Sequence, residues 1–184
     1  MNSILKVSEE KFDDVFEVIS KCSAWMASEH NMNHWSNYYT KAVVLEKLQH
    51  SNVYVEYLGT EPVATITISV QAPSYYLNNT DGINGGTLDY TEEFESSKDK
   101  NTKALYISAL GVIPDQQGTG LASKLLKMAE DEAIRLGCNI VRFDSRMSFK
   151  PVINFYLAKG YKKVGVMDDE GEEYGLFEKE ILEA

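Results

Sequence analysis

The segment richest in possible chemistry runs Ala109-Leu110-Gly111-Val112-Ile113-Pro114-Asp115-Gln116-Gln117-Gly118-Thr119-Gly120-Leu121-Ala122-Ser123-Lys124-Leu125-Leu126. An apolar strand ends, Pro114 turns the chain, and a glycine-rich loop opens an amphipathic helix. The first N–H groups of a helix have no partners inside it and point outward. The helix dipole adds partial positive charge at that end. Such a start suits a pyrophosphate. Gly118 and Gly120 let backbone and ligand approach closely, and the small Ala122 keeps the way open one turn in. Two other phosphate-binding patterns compete. Gly118-Thr119-Gly120-Leu121-Ala122-Ser123 is close to a dinucleotide fingerprint, which needs a first βα turn tightly joined to its strand and an acidic residue about 20 residues on. Asp144 falls only roughly there, and the Pro114 break and the two preceding strands fit poorly. A P-loop is excluded because no Gly-Lys-Ser/Thr follows.

The elements that must position this loop follow from periodicity. Ser3 to Val7 reads as a short edge strand. Glu9 to about Ser28 is helical, with Phe12, Val15, Phe16, Ile19, Cys22, Ser23 and Met26 on one face. A polar stretch from Glu29 to Ser36 follows. Ser36 is placed to cap a second helix, Asn37 to about Gln49. Asn52 to Leu58 and Val63 to Ala72 form a hairpin turned by Gly59-Thr60-Glu61-Pro62. Residues 73–103 form a long excursion rich in Gly, Asn, Asp and Tyr, the pattern of a functional or mobile loop. Ala104 to Val112 is an apolar strand. Gly118 to about Leu136 is a helix ended by Gly137. Ile140 to Asp144 is a strand, residues 151–159 a short helix ending at Gly160, and Tyr161 to Val166 with Tyr174 to Ile181 a final antiparallel pair turned by Asp168-Asp169-Glu170-Gly171. The order predicts a mixed α/β, three-layer fold: a central, mostly antiparallel sheet with helices on both faces.

The chain has 184 residues, 43% of them apolar, which fits one domain over residues 1–184. Its formal net charge of −10 argues against nucleic acid or an anionic membrane as partner, because phosphate contacts need clustered Lys and Arg. The same charge favours a cationic small substrate. Cys22 and Cys138 are the only cysteines and read as reduced, inert thiols. No Cys/His cluster points to a metal. The N-terminus lacks the basic start and apolar run of a signal peptide, and no stretch has the apolar length to cross a bilayer, so the expected location is cytoplasmic.

The glycine-rich segment resembles the acetyl-CoA-binding signature of the GNAT superfamily of N-acetyltransferases: Gln or Arg, two residues, Gly, one residue, Gly or Ala. Gln117, Gly120 and Ala122 fill that pattern, and the element order agrees over nearly the whole chain. The resemblance implies a GNAT fold in which the strand before the motif and the strand after its helix splay apart around the pantetheine arm of acetyl-CoA. It implies pantetheine contacts at Leu110, Gly111 and Val112, and pyrophosphate contacts along Gln117, Gly118, Thr119, Gly120, Leu121, Ala122 and Ser123. A second stretch, Pro151 to Tyr161, looks like the family's helix ending in Tyr-x-x-x-Gly-Phe. Its tyrosine, Tyr156, is implied to sit near the thioester sulfur, where a phenol can protonate the departing thiolate. The family often has Asn seven residues before that tyrosine. Phe149 stands there, and Asn154, on the same helix, is the remaining candidate for that cofactor contact.

A backbone N–H near Leu110 could stabilise a developing oxyanion. Asp144, Glu29, Tyr106 and Ser108 are candidates to take the amine's proton or line the acceptor site. Trp25, His34 and Trp35 lie where this fold builds that site, and Trp35 could offer an aromatic wall to an amine. Trp25 fits better as a core residue beside Met26, and His30 and His34 as solvated loop residues. The 73–103 excursion, with Tyr75, Tyr76 and Tyr90, could cover the acceptor, mediate a homodimer contact or move freely. The implied activity is transfer of an acetyl group from acetyl-CoA to a primary amine of a small molecule or peptide, by direct attack in a ternary complex. The alternative is a non-catalytic acyl-CoA sensor with the same fold.

Overall fold

A computed structural model describes residues 2–73, 88–90 and 103–181. Contacts divide the chain into two compact units, Met1–Ser69 with Ile107–Ala129, and Val70–Tyr106 with Glu130–Ala184. The elements of the first are β1 (Asn2–Val7), a 3-10 turn (Glu9–Lys11), α1 (Phe12–His30), α2 (His34–Tyr38), α3 (Lys41–His50), β2 (Asn52–Leu58) and β3 (Glu61–Ser69). β4 (Leu88–Tyr90) belongs to the second. β5 (Ala104–Val112) starts in the second unit and ends in the first, and α4 (Leu121–Arg135) runs from the first into the second. β6 (Ile140–Arg146), α5 (Lys150–Ala158), β7 (Lys162–Asp169) and β8 (Glu172–Glu180) complete the second unit.

In the first unit the strands lie in the order β1-β2-β3-β5, with β1/β2 and β2/β3 antiparallel. The alternation of side chains along β2 assigns each face a layer. Val53, Val55 and Tyr57 pack with Val15 and Ile19 of α1 and Val44 and Leu48 of α3. Glu56, of opposite parity, is 0% exposed and meets Lys124 of α4 at 2.5 Å. Helices therefore cover both faces of this sheet. The second oxygen of Glu56, Oε2, has no partner among the described residues.

The second unit orders its strands β5-β6-β8-β7-β4. β6/β8, β7/β8 and β4/β7 are antiparallel. β5/β6 is parallel, with pairs Ala104–Ile140, Leu105–Val141 and Tyr106–Arg142. A buried Arg142–Glu178 ion pair at 3.1 Å ties β6 to β8. Mixed α/β architecture with a mostly antiparallel sheet is thus as the element pattern predicts. No helix among the described residues is long and apolar enough to cross a membrane.

Several boundaries differ from expectation, for local reasons. The stretch from Glu29 to Ser36 is not wholly irregular: α1 runs to His30, Asn31 stops it in a left-handed conformation (φ 53°), and α2 begins at His34. Ser36 caps nothing; it lies inside α2 and its hydroxyl donates to the Asn33 carbonyl at 2.8 Å. Thr40 is the cap of α3, its Oγ1 accepting from the Val43 amide. Pro62 sits within β3 instead of the turn, which tightens to Gly59-Thr60, and β3 stops at Ser69. The helix after the glycine-rich loop starts at Leu121, not Gly118, because Gly118 (φ 76°) and Gly120 (φ 92°) are not helical. Within the 73–103 excursion, Leu88–Tyr90 is a strand paired with β7. Tyr75 and Tyr76, and the remainder of that expectation, fall on residues 74–87 and 91–102, outside those described.

Candidate active site

β5 leads into the loop. Its burial alternates, with Ser108, Leu110 and Val112 half-buried and Ile107, Ala109 and Gly111 buried. Ala109 has a positive φ of 51°, a conformation costly for a residue with a Cβ. Its amide donates to the Tyr39 hydroxyl at 3.1 Å. Gly111 is glycine for want of space: a Cβ there would lie 3.1 Å from Cys22 Sγ and from the Trp35 ring. The amide of Ile113 donates to the Val63 carbonyl at 3.0 Å, holding the end of β5 to β3.

The loop then closes on itself. Gln117 donates its amide to the Pro114 carbonyl (3.1 Å) and its Nε2 to the Val112 carbonyl (3.3 Å). Thr119 Oγ1 donates to the Gln116 carbonyl at 2.6 Å. Of the amides expected to meet a pyrophosphate, that of Gln117 is therefore already committed. Those of Gly118 through Ser123 have no backbone acceptor among the described residues. The ladder of α4 begins when Lys124 donates to Gly120 at 3.0 Å, so Leu121, Ala122 and Ser123 present the outward N–H groups of a helix start. Gly118, Thr119 and Gly120 are exposed, and a Cβ on either glycine would meet nothing within 4 Å. The loop is thus an open row of unpaired donors at the positive end of a 15-residue helix. That donor set fits the pyrophosphate of acetyl-CoA.

Beside the loop, the same unit holds an aromatic group. Trp35 and Tyr39 meet edge to face at 5.1 Å, as do Tyr38 and Tyr39 at 4.9 Å. Lys47 of α3 reaches over the rings of Tyr38 and Tyr39, 6.0 and 5.9 Å from their centres. Its Nζ donates to Ser108 Oγ at 3.2 Å. Trp25 is half-buried and edge-on to His30 at 4.6 Å, so it is not the core residue expected beside the buried Met26. Glu29 and His30 are exposed and His34 half-buried. Tyr39 and Lys47 carry no motif. In sequence Tyr39 is one more apolar-face residue, and only the three-dimensional contact with β5 singles either out.

In the second unit Tyr156 is buried in α5, at 7% exposure, among rings. Phe143 lies 4.1 Å away, Tyr161 6.1 Å and Phe177 6.5 Å, centre to centre. Burial first, and then the carboxylate of Asp144, push its phenol well above the ordinary value. Asp144, half-buried on β6, and Tyr156 are thus brought into electrostatic reach. Asp144 also contributes to raising Tyr174, which burial pushes up to about 12. Tyr106 packs against the cluster of Val164, Met167 and Leu176. Phe149 is buried at the N-cap of α5, and Asn154 is exposed on the same helix.

A model of the acetyltransferase (GNAT) family matches residues 12–161. A search of curated proteins finds no match. Among solved structures, the chain is similar to the ribosomal-protein-S18-alanine N-acetyltransferase from Escherichia coli, with 14% identity, TM-score 0.68, and coverage of 100% of this chain and 96% of that one. It is similar to PaiA N-acetyltransferase from Thermoplasma acidophilum in complex with coenzyme A, with 15% identity, TM-score 0.69, and coverage of 98% and 99%. An acetyltransferase of this family from Listeria monocytogenes gives 12% identity, TM-score 0.72, and coverage of 97% and 94%.

Proposed function

This chain belongs to the GNAT acetyltransferase family, whose members use acetyl-CoA, and on that premise we propose that it transfers the acetyl group to a primary amine of a small molecule or peptide by direct attack in a ternary complex. The observation that carries the reading is the row of unpaired amides from Gly118 to Ser123 at the start of α4. Those amides hold the pyrophosphate, where unpaired donors and the helix dipole act together. Gln117 contributes by fixing the loop through its bonds to Pro114 and Val112. The backbone of β5 at Leu110, Gly111 and Val112 takes the pantetheine arm. When bound, acetyl-CoA supplies an acyl thioester open to attack.

Tyr156 acts as the general acid. Its raised pKa keeps the phenol proton on Oη throughout the neutral range, which a group that must donate to a departing sulfur requires. Asp144 and Tyr106 of the second unit, and Trp35 and Ser108 of the first, are assigned to the acceptor amine, each on the contacts of its own unit. Ser108 is not a base in this reading, since its oxygen already accepts from the Lys47 ammonium.

The test is coenzyme A release from acetyl-CoA with a panel of amines, with acetylated products identified by mass spectrometry, for wild type and Tyr156→Phe. Amine-dependent release that Tyr156→Phe abolishes supports the transferase. Slow hydrolysis unchanged by any amine would instead indicate a sensor that binds acyl-CoA without turnover.

A further inference from the structure

We propose that Tyr39 is a positioning residue for the cofactor: by accepting the Ala109 amide, its hydroxyl holds the left-handed step of β5 that sets the backbone receiving the pantetheine arm. The inference rests on the acetyl-transfer reading and extends it to a residue that acts through Ala109.

Ala109 has a φ of 51° inside a strand. A residue with a Cβ is penalised in that conformation, and it persists only where its surroundings fix it. Two features of the first unit do so. Ala109 is buried in the cluster that holds Val44 and Leu48 of α3. Its amide donates to Tyr39 Oη at 3.1 Å, across 70 residues of sequence.

The left-handed step changes what the strand presents. In a regular strand consecutive side chains point to opposite faces. Here Ser108 accepts from Lys47 of α3, and the next residue, Ala109, belongs to the cluster that includes Val44 of the same helix. Each residue has two soft dihedrals, so the φ of Ala109 fixes the heading of the peptide planes that follow at Leu110, Gly111 and Val112. Those are the planes assigned to the pantetheine arm. One irregular residue that re-aims its neighbours beside a site is a common use of such a step.

The short helix α2 grips β5 at two points. Tyr39 ends it, with its amide donating to the Trp35 carbonyl at 2.8 Å. Trp35 and Tyr39 are four residues apart and share a helix face, and their rings meet at 5.1 Å. Tyr39 takes the amide of Ala109, while the Trp35 ring lies 3.1 Å from where a Cβ on Gly111 would stand. Leu110 is thus flanked by a hydrogen bond on one side and a ring on the other.

The test compares two ligands by calorimetry: coenzyme A, and phospho-ADP, which is coenzyme A without its pantetheine arm. The proteins are wild type, Tyr39→Phe, Ala109→Gly and the double variant. Phenylalanine keeps the ring and removes only the acceptor. Tyr39→Phe should weaken coenzyme A about tenfold, the scale of one hydrogen bond, and leave phospho-ADP near wild type, because its phosphates meet the amides of α4. In turnover the KM for acetyl-CoA should rise and that for the amine should not. Glycine takes a left-handed φ without penalty, so in the Ala109→Gly background the same Tyr39→Phe change should cost coenzyme A about threefold or less. Equal weakening of both ligands, or none, overturns the proposal. So does an equal loss in both backgrounds, which would mean that the Tyr39 hydroxyl meets the ligand itself. Should Tyr39→Phe not fold, the double variant must fold and bind coenzyme A; its failure too would make Tyr39 a structural residue only and overturn the proposal. The expected binding pattern without turnover of any amine keeps the positioning role and overturns the transfer reading.

Discussion

The first unit builds its part of the proposed chemistry from backbone: a row of amides, two left-handed glycines facing open space, and a left-handed Ala109 within β5. The second builds its part from one side chain sunk in a ring cluster, Tyr156 among Phe143, Tyr161 and Phe177. A backbone site is indifferent to most side chains and fails only where a Cβ blocks it or a φ cannot be reached. A buried side-chain site depends on its surroundings, because these set whether a proton stays or leaves. Substitutions in the two units should therefore fail in different measurements, affinity in one and turnover in the other.

The largest effect is expected from Tyr156→Phe. Loss of a general acid lowers kcat by about 10²- to 10⁴-fold, while acetyl-CoA binding by calorimetry stays near wild type. A fall in affinity with kcat kept would erase the contrast between the units. Gly120→Val should do the reverse. A Cβ at this position (φ 92°) meets no protein atom within 4 Å, so the main effect of the substitution falls on the ligand. The Kd of acetyl-CoA should rise about 100-fold, roughly 2.7 kcal/mol. The unliganded protein should lose only the left-handed strain, about 1–2 kcal/mol.

Gly111→Ala tests packing between β5 and Trp35. The crowding against Cys22 and Trp35 should cost about 1–3 kcal/mol, read as a lower denaturation midpoint. The next contrast is in alkali. Burial raises the phenols of Tyr156, Tyr161 and Tyr174 in the second unit, and of Tyr57 in the first, above their unfolded value. A raised tyrosine keeps its proton when the unfolded chain has lost it. Its contribution is present in full below about pH 10 and is lost as pH climbs toward the folded value. Between pH 10 and 11 the stability-versus-pH slope of Tyr156→Phe should be shallower than wild type by up to about 1.4 kcal/mol per pH unit. The smallest effect is Thr40→Ala, which removes the cap of α3 at a cost of about 1 kcal/mol, measured by chemical denaturation.

What could be read from sequence follows the same division. The Gln117–Ala122 loop was legible because its function needs glycines at fixed spacing, and spacing survives in one dimension. Most strands were legible from apolar and β-branched runs, to within a few residues. The cap at Thr40 was hidden because Ser36, Asn37 and Thr40 are all residues that can cap. Tyr39 and Lys47 were illegible for a deeper reason. Their partners, Ala109 and Ser108, lie 70 and 61 residues away, and no local pattern reports such a meeting. Nor does composition announce the left-handed conformation of Ala109, since alanine is a poor choice for it. The crowding that makes position 111 a glycine likewise comes from Cys22 and Trp35, which only the folded chain brings there.

The burial of Cys22 beneath Gly111 has a practical side. Its thiol is pushed up to about 12, and Cys138 is also buried with a raised value. The thiolate is the nucleophile that attacks a thiol reagent, and burial keeps the Cys22 thiol protonated at pH 8. A colorimetric disulfide reagent added to follow liberated coenzyme A should count the product and leave the native protein untouched until it is denatured.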